Sequence, residues 1–255
     1  MNKTNLTEQR TRKLLAVFAH PDDESFICGA TLAKYAHEGV EITLVSATRG
    51  EMGRRMGNPL YLNRETMGAA REQELRNACA SLGIRDLRFL DIRDKTVEFI
   101  DEELLIGRIA GLMEEIEPDV VLTFHEKLGG HPDHCAIGKA TTAAFRRLGE
   151  RGALYFISFG DAMERPEVFG YTRSDIVKIE VQSHLPAKLA AFRDHRCQSE
   201  IEAWVWQPDQ EALKRFGRYE YFIRGNRQGA SGSAGSTGNG GSAAEAAKAG
   251  DLFVY

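Results

Sequence analysis

The chain has 255 residues, 42% of them hydrophobic and 27% charged, with a formal net charge of −4 at pH 7. That length supports one substantial core and favours one domain over two. The slight acidic excess argues against nucleic acid as a partner, and no apolar run approaches the roughly 18 residues of a membrane span.

Taken from the start, MNKTNLTEQRTRK carries mixed charge and leads into a run, Leu14–Phe18, too short for a signal-peptide core. Leu14–Ala19 reads as a buried strand ending at His-Pro, and Ser25–Glu38 as a helix stopped by Gly39. Val40–Ala47 alternates as a second strand, and Thr66–Leu82 is an amphipathic helix ended by Gly83. Leu87–Leu90 follows as a strand, then Asp101–Glu117 as a helix capped by Asp101 and closed by Pro118. Val120–Phe124 is the next strand, His134–Leu148 a helix, and Leu154–Phe159 and Asp175–Val181 two further strands. Leu185–His195 reads as a helix with Pro186 in its first turn.

Strands alternating with helices predict an α/β fold with a mostly parallel sheet covered on both faces. Sites in such sheets lie beyond the carboxyl ends of the strands. The domain is expected to span residues 1–228. Gly229–Gly241 has the composition of a flexible linker and Ser242–Lys248 that of a helix. Residues 229–255 therefore read as an artificial appendage, or else as a natural tail whose apolar end, Asp251–Tyr255, docks on the domain. Four widely spaced cysteines, Cys28, Cys79, Cys135 and Cys197, fit reduced thiols in a cytoplasmic protein.

Two short motifs carry the chemistry. Ala19-His20-Pro21-Asp22-Asp23-Glu24 follows the first strand, and His131-Pro132-Asp133-His134 follows the fourth. Imidazole nitrogen and carboxylate oxygen both bind zinc, and catalytic zinc sites use three protein ligands. The bland alternative is that Asp22, Asp23 and Asp133 are helix caps, since such residues are common at helix starts. Two His-Pro-Asp clusters at the ends of separate strands favour the metal. Together they hold enough N and O ligands for one ion, with a carboxylate left over as a general base.

This pair of motifs resembles the zinc-dependent deacetylases of the LmbE-like or PIG-L family. The likeness extends over residues 13 to about 225, through Thr48-Arg49-Gly50-Glu51, Arg71-Glu72 and Lys188…His195…Gln198. It implies a Rossmann-like three-layer fold and removal of an acetyl group from an N-acetylglucosamine-type sugar. Gly50-Glu51-Met52-Gly53-Arg54, Met56-Gly57-Asn58-Pro59, Asn63-Arg64-Glu65-Thr66 and Arg93-Asp94-Lys95-Thr96 are similar to the branch acting on N-acetylglucosaminyl malate in bacillithiol biosynthesis.

The resemblance implies His20, Asp23 and His134 as ligands of Zn2+, with Fe2+ as an alternative occupant. It implies Asp22 as general base, His131 beside the oxyanion, and Asp133 as the group that holds a histidine. Arg49, Glu51 and Arg54 become candidate substrate contacts, opposed by the reading of Arg54 and Arg55 as a solvated basic loop. Arg64 and Arg71 are either further contacts of this kind or, equally, helix-surface residues in salt bridges. Glu24 is expected to pair with an arginine or cap the first helix, and Cys135 to pack. Some relatives carry a tyrosine where this chain has Gly129. The implied partner is a small N-acetylated amino sugar, with no nucleic acid or membrane, in a homo-oligomer of the hexameric kind seen in relatives. The alternative activities are a broader N-acetyl-sugar deacetylase and an amidase acting on bacillithiol S-conjugates.

Overall fold

The computed structural model describes residues 10–158, 164–226 and 250–254. Its strands are β1 (Lys13–Phe18), β2 (Glu41–Ser46), β3 (Asp86–Phe89), β4 (Val120–Thr123), β5 (Ala153–Ile157), β6 (Ile176–Glu180) and β7 (Tyr219–Arg224). They form one seven-stranded sheet in the order β3-β2-β1-β4-β5-β7-β6. The first five are parallel neighbours, with Leu14 opposite both Ile42 of β2 and Val120 of β4. β7 runs antiparallel to both β5 and β6.

The main helices are α1 (Asp23–His37), α2 (Arg64–Leu82), α3 (Glu102–Ile116), α4 (Pro132–Arg147) and α5 (Leu185–Asp194). α1, α2 and α5 pack against one another, as do α3 and α4. Leu14–Phe18 is buried throughout, the continuous apolar run of a strand covered on both faces. α3 buries Leu105, Ile106, Ile109, Met113 and Ile116, a stripe at helical spacing. Asp101 caps it as expected, its side chain accepting from the Leu104 amide at 2.9 Å.

Differences from the sequence reading have local causes. α2 starts at Arg64 rather than Thr66 because Asn63 and Thr66 form a reciprocal capping box. α4 starts at Pro132 rather than His134, with His131 as its cap and proline in the first turn. β7 went unread, although its insertion between β5 and β6 produces both antiparallel pairings. Of the tail, residues 250–254 are described, and Leu252 is fully buried. Gly229–Gly241 and Ser242–Lys248 lie outside the described residues. Among the described residues, no helix is long and apolar enough to cross a membrane.

Candidate metal centre

After β1 the chain builds β2 and β3 on one side, then returns as β4 on β1's other side. That reversal opens a crevice beyond the carboxyl ends of β1 and β4, the usual ligand site of such sheets. Both His-Pro-Asp motifs emerge there, so residues more than a hundred positions apart become neighbours.

His20 Nδ1 lies 3.0 Å from His134 Nε2, and His134 Nε2 lies 3.2 Å from Asp23 Oδ1. The other nitrogen of each ring is already engaged. His20 Nε2 is 3.2 Å from both Asp133 Oδ2 and Asp94 Oδ1, while His134 Nδ1 is 2.8 Å from the Gly129 carbonyl oxygen. In the neutral tautomers these bonds select, both facing nitrogens present lone pairs to each other. Only a proton or a cation reconciles them. Ligands about 2.0–2.1 Å from a tetrahedral ion stand roughly 3.3 Å apart, close to the separations here. A carboxylate or carbonyl on the far side of each imidazole is the usual support of a metal ligand. His20, Asp23 and His134 can therefore hold a divalent metal.

Charge is matched to that role. Burial disfavours the charged form of His20, but hydrogen bonds to Asp133 and Asp94, with the nearby Asp23 charge, raise it to about 10. Burial would likewise raise Asp23, yet His134 and His20 bring it down to about 2. Asp23 Oδ2 accepts the Ala19 and His20 amides at 3.2 and 2.8 Å, tying the carboxylate to the end of β1.

The capping explanation fails for all three aspartates, Asp23 being bonded back to the Ala19 and His20 amides. Asp22 stands at the cap position of α1 but makes no side-chain capping bond. Its φ of 105° is a strained conformation for a residue with a Cβ. The carboxylate instead meets Arg71 Nη2 at 2.8 Å, and Arg71 also donates to the carbonyl oxygens of Pro21 and Gly50. Burial pushes Asp22 up to about 6 against the opposing pull of Arg71. Asp133 does not cap α4 either: it accepts the Lys95 and Val97 amides at 2.7 and 3.2 Å. The cap is His131, whose Nδ1 accepts the Asp133 amide at 3.2 Å. Burial first, then the His20 and His134 charges, lower the His131 pKa. It is thus a neutral ring whose remaining nitrogen carries the proton.

Several expectations are corrected. Arg71 is no surface residue; it is 3% exposed. Arg64 donates to the Glu51 and Gly53 carbonyl oxygens rather than to an acid. Glu24 neither caps α1 nor meets an arginine. It pairs with His195 Nε2 at 2.6 Å, both groups being buried, and accepts the Asp22 amide at 3.1 Å. Gly129 has a steric reason of its own, since a Cβ there would lie 2.7 Å from His134 Cβ. Asp94, which was quoted only within a motif, proves to be a His20 partner. Two groups among the described residues could hold a metal ion, His20 with His131 and His134, and His20 with Asp94 and Asp133; Cys135 is in neither, and Asp23 adjoins the first through its 3.2 Å approach to His134 Nε2.

The three candidate substrate contacts separate. Arg49 is held by Glu72 and Asp91, each at 2.5 Å. Glu51 accepts the Asp94 amide through Oε1, while its Oε2 is buried without a hydrogen-bond partner. Both line a cleft with Arg64, Asp91 and Arg93, whereas exposed Arg54 is not part of its lining.

Fold and site define an α/β protein with two histidines and an aspartate gathered at a topological switch point. The chain belongs to the PIG-L family, described as GlcNAc-PI de-N-acetylase, which matches residues 15–145. The "Probable N-acetyl-alpha-D-glucosaminyl L-malate deacetylase 2" of Bacillus anthracis is 40% identical over 189 residues, covering 73% of this chain and 81% of that protein. Among solved structures, the N,N'-diacetylchitobiose deacetylase from Pyrococcus horikoshii matches with a TM-score of 0.62 at 23% identity, covering 84% of each chain. The 4-carboxy-2-hydroxymuconate hydratase from Pseudomonas putida matches equally well, with a TM-score of 0.62 at 18% identity, covering 88% of this chain and 100% of that one. Such likenesses show the fold alone, and the chemistry must come from the site.

Proposed function

We propose that the protein is a zinc-dependent N-deacetylase. It hydrolyses the N-acetyl group of an N-acetylglucosaminide, N-acetylglucosaminyl malate of bacillithiol biosynthesis, to free amine and acetate. One observation carries this reading: two imidazole lone pairs converge with Asp23 beside a strained, half-buried carboxylate, Asp22, that makes no side-chain capping bond. The substrate for which the Bacillus relatives are named supports the choice of sugar and malate. Zinc suits two nitrogens and one oxygen in a compact set, with Fe2+ as the second candidate.

When bound, a divalent ion polarises the acetamide carbonyl and makes water a nucleophile near neutral pH. The chain's own groups do the rest. Asp22 takes a proton from the attacking water and returns it to the departing amine, which requires a carboxyl that can hold and release it near neutrality. Arg71 fixes the carboxylate's direction. His131, neutral and bonded through Nδ1 to the Asp133 amide, offers its Nε2 proton to the oxyanion of the tetrahedral intermediate. Asp133 and Asp94 hold the His20 ring. The cleft lined by Arg49, Glu51, Arg64 and Arg93 receives the aglycone carboxylates. Four unpaired cysteines suit the cytoplasmic location expected of such a pathway.

The test is amine release from purified, metal-analysed protein offered N-acetylglucosaminyl malate, N-acetylglucosamine and a bacillithiol S-conjugate. The malate glycoside should be the best substrate. A zinc-loaded preparation that releases amine from neither acetylated sugar sinks the reading, and turnover of the S-conjugate alone makes the protein an amidase.

A further inference from the structure

Residues 250–254 make contacts that the metal centre does not use. They sit at the opposite end of the sheet, beside Arg12, which precedes β1, and Tyr35, in the last turns of α1. The buried Tyr35 hydroxyl donates to Asp251 Oδ1 at 2.9 Å and accepts the Leu252 amide at 2.8 Å. Leu252 is fully buried and belongs to the main core. The Phe253 ring packs edge-on to Tyr35 at 5.2 Å, and the Arg12 guanidinium lies 4.8 Å above it. The Gly250 amide donates to the Lys178 carbonyl oxygen of β6, the outer strand, at 3.1 Å. Asp251 Oδ1 also accepts the Phe253 amide at 3.0 Å, so the segment arrives already turned.

We propose that the Tyr35 groove is a peptide-docking site whose ligand is a Gly-Asp-Leu-Phe segment, supplied by this chain itself through residues 227–249. Each position is read by a different means. Tyr35 reads an acidic residue and the amide that follows it; the hole reads leucine by shape; and Arg12 with Tyr35 reads an aromatic ring. β6 contributes one backbone bond, its Lys178 carbonyl oxygen accepting the Gly250 amide. The Gly/Ser/Ala-rich composition of 227–249 suits a tether, and tethering raises the local ligand concentration to about millimolar, so modest intrinsic affinity keeps the groove filled.

Full-length Leu252→Asp protein empties the groove without altering it, and the probe is a labelled GDLFVY peptide. The variant should melt several degrees below wild type, bind the peptide, and recover its melting temperature when saturated. Wild type, filled by its own segment, should bind far less. Adding Tyr35→Phe to the variant removes both hydroxyl bonds and should weaken the peptide roughly tenfold. Unchanged melting of Leu252→Asp, a fall that the peptide does not reverse, or equal binding by wild type and variant would each overturn the proposal.

Discussion

Asp22 joins backbone strain, a half-buried charge and proposed chemistry in one residue. Its φ of 105° costs on the order of 1–3 kcal/mol and points the carboxylate at Arg71 instead of at α1. Arg71→Met should leave the metal bound but lower kcat by about a hundredfold, the scale of a small misplacement of a reacting group. Steady-state kinetics separates this from a KM effect, and an unchanged kcat would show that Asp22 needs no such clamp. Gly129→Ala would press a Cβ onto His134, so metal affinity should fall at least about tenfold, as when a ligand's support is lost. Competition with a chromogenic chelator measures it. The surface alternative for Arg71 rests on arginines usually being exposed, and it fails because this one is buried. A signal was nonetheless present. Met67, Arg71, Leu75, Ala78 and Leu82 all fall on the buried stripe of α2, and a charge on an apolar stripe marks a buried partner. The Glu24–His195 pair had no such local sign, because its members stand 171 positions apart.

At the scale of elements, α1 is broken at Cys28, where φ is −129° and ψ is 18°. The freed Ala30 and Thr31 amides are taken by Glu220 of β7 at 3.2 and 2.7 Å, and Ile27's carbonyl oxygen accepts from Lys188 of α5 at 3.3 Å. Lys188 and Glu220 then bond to each other at 2.6 Å, both nearly buried. This buried pair props the first turn of α1, which carries Asp23, at its own angle. Lys188→Met should destabilise the fold by about 3–5 kcal/mol by leaving Glu220 uncompensated, and urea unfolding reads it directly. A loss below about 1 kcal/mol would mean that the pair adds little. Helix and strand identities were mostly legible, because apolar spacing and Gly or Pro stops are local. The kink and β7 are not: the kink depends on Glu220 reaching α1 from a distant element, and β7 on pairing with β5 and β6 across long stretches of chain.

For the whole molecule, the reversal between β1 and β4 makes one site from two loops. Strand alternation announced that crevice, and the repeated His-Pro-Asp motif announced its content. The far-side supports, Asp94 from the loop after β3 and the Gly129 carbonyl, became visible only once the sheet was assembled. If three ligands from two loops share one ion, the ion also ties the loops together. At about a hundred times its dissociation constant it should add roughly 2.7 kcal/mol of stability. Removing it with a chelator should lower the melting temperature by several degrees, and zinc should restore it. No shift would place the ion outside the folded core.

Metal content and amine release, measured on the same preparations of wild type, Asp22→Asn and His134→Ala, test most directly whether holding the ion and moving the proton belong to separate residues. Asp22→Asn should retain one equivalent of zinc and lose roughly 10²–10⁴-fold in rate, while His134→Ala should lose both metal and activity. Full turnover by Asp22→Asn, or stoichiometric zinc in His134→Ala, would contradict that division of labour.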